Sequence, residues 1–505
     1  MSNKKLAIAI SYINLLVGMV VNIYITPMLI ATLGDVDYSL YKVMHSLAGP
    51  LTMFHLGVST VVTRSIVKNK DSCGGNIREK RNTMALSLLA SGVMSLLVIV
   101  AGACLYMAIP VMYGETYSEA SICLGQKLFV MFVAASVLHM LTDAFSGCVV
   151  GHERYVVSSA IPLVKNLGKC ILLIVLLKSG MGVLFVVAVD LFLAVGTFLF
   201  TLIYAVFGLH EIPKLYYFDK KQLSKIVSFG LAILLQAFVN QVNNNMDTMI
   251  LGAFIDEKAV ITMYSSALAI YAIYNSLVSV VTHYFLPKAT ELTLKNATGK
   301  EMTDFVIKPG RFQAMIALAC ILGFALFGQN FIRIWIGERY LDAYGVILTL
   351  MIPVTIPLVE NAAISILDAT MKRMYRSVVL VIMAILNLLV SVILVRSVGF
   401  WGAAIGTAVS LLLGHGVLMN LYYMKVFHIE VFRMFKQIFE GILIAGLLAA
   451  LVCLPLAILL PDTVLWFVLK CGSFVLIYAV FLLAFGLNRS EKAMLRALVR
   501  KMCRK

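Results

Sequence analysis

Apolar runs of about 20 residues recur along the whole chain at intervals of roughly 30–35 residues. Each is long enough, at about 1.5 Å per helical residue, to cross a hydrocarbon core of about 30 Å. The pattern predicts helices over about 8–31, 40–63, 84–108, 122–148, 156–177, 183–207, 227–253, 259–285, 313–335, 344–367, 377–396, 400–422, 438–460 and 463–486. The expected fold is therefore an all-α integral membrane protein with about 14 transmembrane helices. No polar stretch is long enough for a soluble domain; the longest, 287–311, reads as a loop. The first run follows Lys4 and Lys5. It is too long for a signal-peptide core and lacks a small-residue cleavage site, so it counts as the first span.

Composition agrees with the pattern. Only 13% of the 505 residues are charged and 61% are hydrophobic, where soluble domains carry about 25% charge. A net charge of +16 would suggest nucleic acid in a soluble protein, but its placement argues otherwise. Numbering loops from the N-terminus, one alternating set (the N-terminus, 64–83, 151–155, 208–226, 286–312, 371–376, 423–437 and 488–505) holds about 31 of the 41 Lys and Arg. The opposite set holds Lys178, Lys258, Arg333, Arg339 and Arg396. Basic loops stay cytoplasmic, which puts both termini there. The tail, with Arg489, Lys492, Arg496, Arg500, Lys501, Arg504 and Lys505, reads as a basic amphipathic segment on anionic headgroups. The nine cysteines show no C-x-x-C spacing and read as small packing residues.

The halves resemble each other at a shift of about 218–220 residues. Leu33-Gly34 matches Leu251-Gly252, Arg154-Tyr155 matches Arg373 and Tyr375, and Gly180 and Gly182 match Gly399 and Gly402. The shift spans six helices, so the repeats are parallel and related by a pseudo-twofold along the membrane normal. The expected organisation is a six-helix lobe over 1–210, a second over 211–430, two further helices over 431–487 and a basic tail over 488–505. Two such lobes around a cleft suit alternating access.

Charged side chains at bilayer depth are expensive, at about 2.5–3.5 kcal/mol or more, and usually face protein or water. Ser158, Pro162, Lys165 and Lys169 share one helix face. Lys165 and Lys169 lie too deep to snorkel, and adjacent ammonium groups repel unless an anion sits between them. They bind a phosphate, or they pair between helices with Asp143 or Asp190. Lys42 and His45 belong to a polar stripe with Gly49, Thr52, Ser59 and Thr63. Lys42, His45 and Lys127 read either as the outer part of a cationic cavity or as groups near the headgroups; Lys470 reads as snorkelling to headgroups. His139 and Asp143 are adjacent at i, i+4 and read as a hydrogen-bonded pair or a proton carrier. The most polar span carries Gln236, Asn240, Gln241, Asn243, Asn244, Asn245 and Asp247. Its amides, chiefly Asn240, Asn243 and Asn244, suit sugar hydroxyls or gating, and amides also bind helices together. Tyr264, Tyr271 and Tyr274 lie near one face and read as sugar-stacking or packing groups. Asn14, Asn22, Thr26 and Pro27 mark the first span, which holds no acid.

Leu33-Gly34 with Tyr38 and Tyr41, Leu56-Gly57 with Arg64, Asp247 with Gly252, Tyr264, Phe285-Leu286-Pro287 and the two basic turns resemble the polysaccharide-exporter branch of the multidrug/oligosaccharidyl-lipid/polysaccharide (MOP) superfamily, the O-antigen (Wzx-type) flippases. The resemblance covers nearly the whole chain. It implies a MATE-like bundle that moves an undecaprenyl-pyrophosphate-linked oligosaccharide of O-antigen, capsule or exopolysaccharide assembly across the bacterial cytoplasmic (inner) membrane. It also implies an ion-coupling role for Asp247, with Glu360 and Asn361 able to join it, and Na⁺ or H⁺ as the coupling ion. No other cofactor and no metal is expected. The expected partners are the lipid-linked glycan, membrane lipids, and the polysaccharide polymerase and glycosyltransferases of the same pathway, with no nucleic acid. The absent acid in the first span and the membrane lysines favour an anionic cargo over the organic cations of a multidrug antiporter. A peptidoglycan lipid-precursor flippase is a close alternative. No Walker A, H-E-x-x-H or nucleophile elbow is present. The outer loops, under about 15 residues each, are short for a membrane glycan polymerase or ligase.

With both ends cytoplasmic, green fluorescent protein fused after Lys505 should fluoresce and alkaline phosphatase fused there should be inactive. The reverse pattern would overturn the orientation.

Overall fold

Helices account for nearly all the ordered secondary structure, and no strand occurs among the described residues. The computed structural model describes residues 2–55, 58–59, 62–63, 66–67, 77–218, 241–279, 285–295, 297–370 and 373–493. Among them, 11 helices are long and apolar enough to cross a membrane, and one bent pair brings the number to 12. Two features separate this from the expected count of about 14. The first two expected spans meet at a kink with no loop between them and are counted together, and the first half of the seventh, within 219–240, lies outside the described residues.

The first element, α1, runs Ser2–Ala48 and consists of two helices that meet at a kink at Gly34 (φ 69°, ψ 175°). A residue there needs positive φ, which glycine adopts without a Cβ penalty. The expected loop over 32–39 is thus helical on both sides of one residue. Its polar Asp35 and Asp37 look like a loop, but polarity alone does not end a helix. Beyond Ala48 the chain tightens into a 3₁₀ turn over Gly49–His55.

The next helices are α2 Ile77–Tyr113, α3 Glu119–Gly151, α4 Tyr155–Lys178 and α5 Val183–Ile203. Then come α6 over 241–254, α7 Lys258–Ser279 and the short α8 Phe285–Leu294. Ser118 caps α3 by accepting from the Ser121 N–H. Thr298 and Glu301 form a capping box that opens α9, Gly299–Trp335. The expected loop over 286–312 therefore contains α8 and the start of α9. α10 (Ala343–Val359) and α11 (Asn361–Ala369) bend by 47° at Glu360. α12 Arg373–Val398 and α13 Trp401–Leu411 follow. The π-helical segment Leu412–Met419 then leads into α14, Asn420–Phe427. The chain closes with α15 Val431–Phe439, α16 Ile442–Leu459 and α17 Val464–Phe481.

Gly180 and Gly399 both have positive φ, 70° and 63°. They make the same turn, from α4 to α5 and from α12 to α13, at corresponding points of the repeat. Leu33-Gly34 and Leu251-Gly252 differ. Gly252 is helical, and a Cβ there would stand 2.7 Å from Val43, so a close approach rather than a turn requires the glycine.

The chain divides into two compact units, residues 1–265 and 266–505. The first contains a core around Val62, Ile66, Met84, Phe145 and Cys148, and the second one around Phe327, Ala449, Cys453, Phe474 and Tyr478. Large apolar side chains such as Val111, Phe192, Phe207 and Leu476 are exposed. Apolar surface this extensive is what a lipid-facing protein presents.

The second unit closes around Arg311 of α9, which is 2% exposed. Its guanidinium donates to Glu491 at 2.8 and 3.2 Å and to the carbonyls of Gln437 (2.6 Å), Glu440 (3.1 Å) and Gly486 (2.7 Å). One planar fork therefore ties α9 to the end of α15, the break before α16 and the end of the α17 segment. The expected loop over 423–437 contains α15, an amphipathic helix that buries Val431, Met434 and Ile438.

Removing one partner of a buried ion pair costs about 3–5 kcal/mol. Arg311→Ala should lower the thermal midpoint in detergent, read by tryptophan fluorescence, by more than Glu491→Gln, which leaves the three carbonyl contacts in place. Equal midpoints for Arg311→Ala and wild type would contradict this role.

Candidate functional site

The site is built within the first unit by α1, α3, α4 and α5. Lys165 and Lys169 stand one turn apart on α4, as their spacing requires. Lys169 Nζ lies 2.6 Å from Asp190 Oδ1 of α5. Lys165 Nζ lies 3.2 Å from His139 Nε2 of α3. An ammonium can only donate, so this contact assigns His139 Nε2 as acceptor and places its proton on Nδ1. The first contact is one of the expected pairings, and the second corrects the expected His139–Asp143 pair. The repulsion between the lysines is relieved in part from inside the protein, by Asp190 and not by Asp143. His139 turns Nε2 toward Lys165, and Asp143 has no hydrogen-bond or ion-pair partner among the described residues.

Lys42 of α1 sits over the rings of Tyr38 (5.4 Å) and Tyr41 (5.7 Å), a cation–π arrangement. His45, one turn on, is exposed although it lies 5.4 Å from the Phe132 ring and 6.2 Å from Tyr41. A flanked yet exposed side chain lines a crevice. The charges of Lys42, Lys169 and Asp190 all reach His45, and Lys165 is within reach of Lys169 and Asp190. Lys165 and Lys169 thus share one carboxylate, and Lys42 adds a third positive charge within reach of Lys169. Lys169 and Asp190 are 30% and 21% exposed, so the pair is open to the crevice. Lys127 is exposed on α3 and has no ion-pair partner among the described residues.

A polar seam that the sequence did not reveal supports the site from below. Asn166 of α4 donates to Asn14 of α1 at 2.9 Å, and Ser11 donates to Ser159 at 3.1 Å. Each pair joins residues about 150 positions apart in the chain, so only the helix packing makes them neighbours.

Among the α6 amides, Gln241 and Asn245 crowd the turn after α1; a Cβ on Gly49 would stand 3.0 and 2.9 Å from their amide nitrogens. Asn243 is half-buried and Asn244 exposed. Asn240 and Gln236 lie outside the described residues. Asp247 is buried and accepts from the Tyr264 hydroxyl at 2.6 Å.

In the second unit, Tyr274 is buried with its hydroxyl 2.7 Å from Thr355 Oγ1, so packing takes its ring. Tyr271 is half-buried. Glu360, fully buried at the α10–α11 bend, accepts from Asn420 Nδ2 at 2.6 Å, while its Oε2 has no hydrogen-bond partner among the described residues. Lys470 does not snorkel. It is fully buried and donates to Leu460 O (2.9 Å) and Asp462 (3.1 Å). No cluster of three or more His, Cys, Asp or Glu able to hold a metal occurs among the described residues. The basic tail beyond 493 lies outside them.

Residues 4–292 match the family model described as "Polysaccharide biosynthesis protein". No curated protein matches the sequence. In fold the chain is similar to the lipid II flippase MurJ in an inward closed conformation. That likeness has a TM-score of 0.73 at 15% identity, over 93% of this chain and 97% of that one. It is also similar to an inward-facing multidrug resistance MATE family transporter of the MOP superfamily (TM-score 0.58, 14% identity, 86% and 98%). An outward-facing structure of a multidrug resistance MATE family transporter gives 0.53 at 14% identity, over 86% and 96%.

The Lys169–Asp190 contact can be weighed by a double-mutant cycle. Lys169→Ala and Asp190→Ala should each destabilise the purified protein, and the double variant should recover part of the loss, with a coupling of about 0.5–3 kcal/mol. Strict additivity would show that the two groups do not sense each other.

Proposed function

The chain belongs to the polysaccharide biosynthesis protein family, and from that premise we propose that it is a flippase for undecaprenyl-pyrophosphate-linked oligosaccharide. The observation that carries this reading is the cationic crevice of the first unit. Lys42, Lys165 and Lys169 against Asp190 leave an excess of positive charge at a depth where charge is expensive. A pyrophosphate supplies the missing negative charge, and lysine binds phosphate as a point charge. In this reading Lys165 and Lys169 hold the pyrophosphate, with Lys169 exchanging Asp190 for phosphate oxygen. Lys42, His45 and Lys127 extend the positive field outward, and Asn240, Asn243, Asn244 and Tyr271 meet sugar hydroxyls. The cargo is exposed alternately to the two membrane faces.

The protein would act as a transporter and not an enzyme, in the bacterial cytoplasmic membrane with both termini inside, alongside the polymerase and glycosyltransferases of its pathway. Ion coupling, by Na⁺ or H⁺, falls to Glu360 at a broken helix, where transporters place ion sites, with Asp247 and the His139 and Asp143 turn as further candidates. An organic-cation antiporter is disfavoured by the same excess of positive charge. A peptidoglycan-precursor flippase shares the pyrophosphate, and complementation of deletion strains separates the two cargoes.

The test is flipping of a fluorescent lipid-linked glycan in proteoliposomes. Each lost charge-assisted contact is worth about 1.5–3 kcal/mol. Lys165→Ala/Lys169→Ala should therefore slow flipping by about tenfold or more. Unchanged flipping at normal expression would refute the assigned role.

A further inference from the structure

A groove of about 500 Å³ runs between α4 and α5 on the lipid-facing side of the first unit. Val164, Phe192 and Phe200 form its walls and are themselves exposed. Gly168 and Gly196 keep it wide; a methyl at Gly196 would meet nothing within 4 Å. Among the residues lining the groove, Lys165 alone is charged. The same ammonium contacts His139 on the crevice side, so Lys165 borders both the apolar groove and the cationic cluster.

Depth identifies the ligand class. Lys165 lies ten residues into α4, about 15 Å along the axis and near the middle of a core of about 30 Å. A resting phospholipid keeps its phosphate at the interface, far from that ammonium. Only a lipid whose head has been drawn inward presents a phosphate there. A single trough between two helices accommodates one chain rather than a pair. Small-molecule sites commonly have volumes of about 300–1,000 Å³.

We propose that the α4–α5 groove holds the chain of a single-chain polyprenyl phosphate lipid during transit, with its phosphate at Lys165. This rests on the flippase reading and adds a seat for the tail, which otherwise would simply remain in bulk lipid.

The experiment uses the full chain in phosphatidylcholine proteoliposomes with a polyprenyl pyrophosphate that bears a diazirine on its chain. Photolysis should label peptides from Tyr155–Lys178 and Val183–Ile203, and unlabelled undecaprenyl pyrophosphate should compete. Gly196→Trp, Val164→Trp and Lys165→Gln should each cut labelling by about tenfold, the change expected for 1.4 kcal/mol of lost affinity. Both tryptophans enter open or lipid-facing space, and an unchanged thermal midpoint confirms that each variant folds. Labelling on other helices overturns the groove. So does labelling that survives both tryptophan substitutions, or equal labelling by diazirine-bearing phosphatidylglycerol. If wild type flips the glycan and Gly196→Trp flips it equally well, the groove fails and the flippase reading stands. If wild type neither labels nor flips any polyprenyl-linked glycan, the flippase reading itself fails.

Discussion

A full charge inside a low-dielectric slab has to be met by another group, and that requirement organises both units of this protein. Each unit meets it differently. In the second, Arg311 and Lys470 are enclosed: each is buried and bonded to a carboxylate and to backbone carbonyls. In the first, Lys42, Lys165 and Lys169 outnumber Asp190, and the group is reachable from an opening lined by His45. Enclosed charges hold helices together. Partly answered charges at an opening recruit something from outside.

In the proposed function, Asp190 makes this arrangement tolerable between transport cycles. Without it, two ammonium groups one turn apart on α4 would repel each other with only a neutral imidazole in contact. With it, Lys169 has a partner to leave and return to. A tighter match, with a carboxylate for every lysine, would have removed the pull on an acidic cargo. The tolerated shortfall is the feature a transporter of anions needs, because a site must release its cargo as well as attract it.

Most spans were legible because length and apolarity are local properties. The run over 183–207 matches the observed 183–208 closely, and the glycine turn at 180 recurs at 399. Pairings across helices were harder to read. Lys169 had two acids to choose between, and sequence spacing does not say which helix stands beside α4. Lys470 looked like a snorkelling residue because Asp462 sits across a turn, and the fold rather than the spacing swings it inward. Arg311 stands among loop cations in the sequence, but the capping box at Thr298 and Glu301 starts its helix earlier than the apolar run does. The spacing of Val431, Met434 and Ile438 is that of a helix face, although the basic residues between them give the stretch the composition of a loop. The first two spans do stand as two helices, but they meet at a kink at Gly34 instead of across a loop, because only that residue departs from helical geometry.

The Arg311 fork gives the end of the chain an unexpected status. Glu491, the carboxylate it grips, lies in the stretch that composition presents as a dispensable cationic appendage. That stretch is therefore more than a source of charge: at Glu491 it also fastens three helices. A truncation that takes away Glu491 removes a rivet from the second unit.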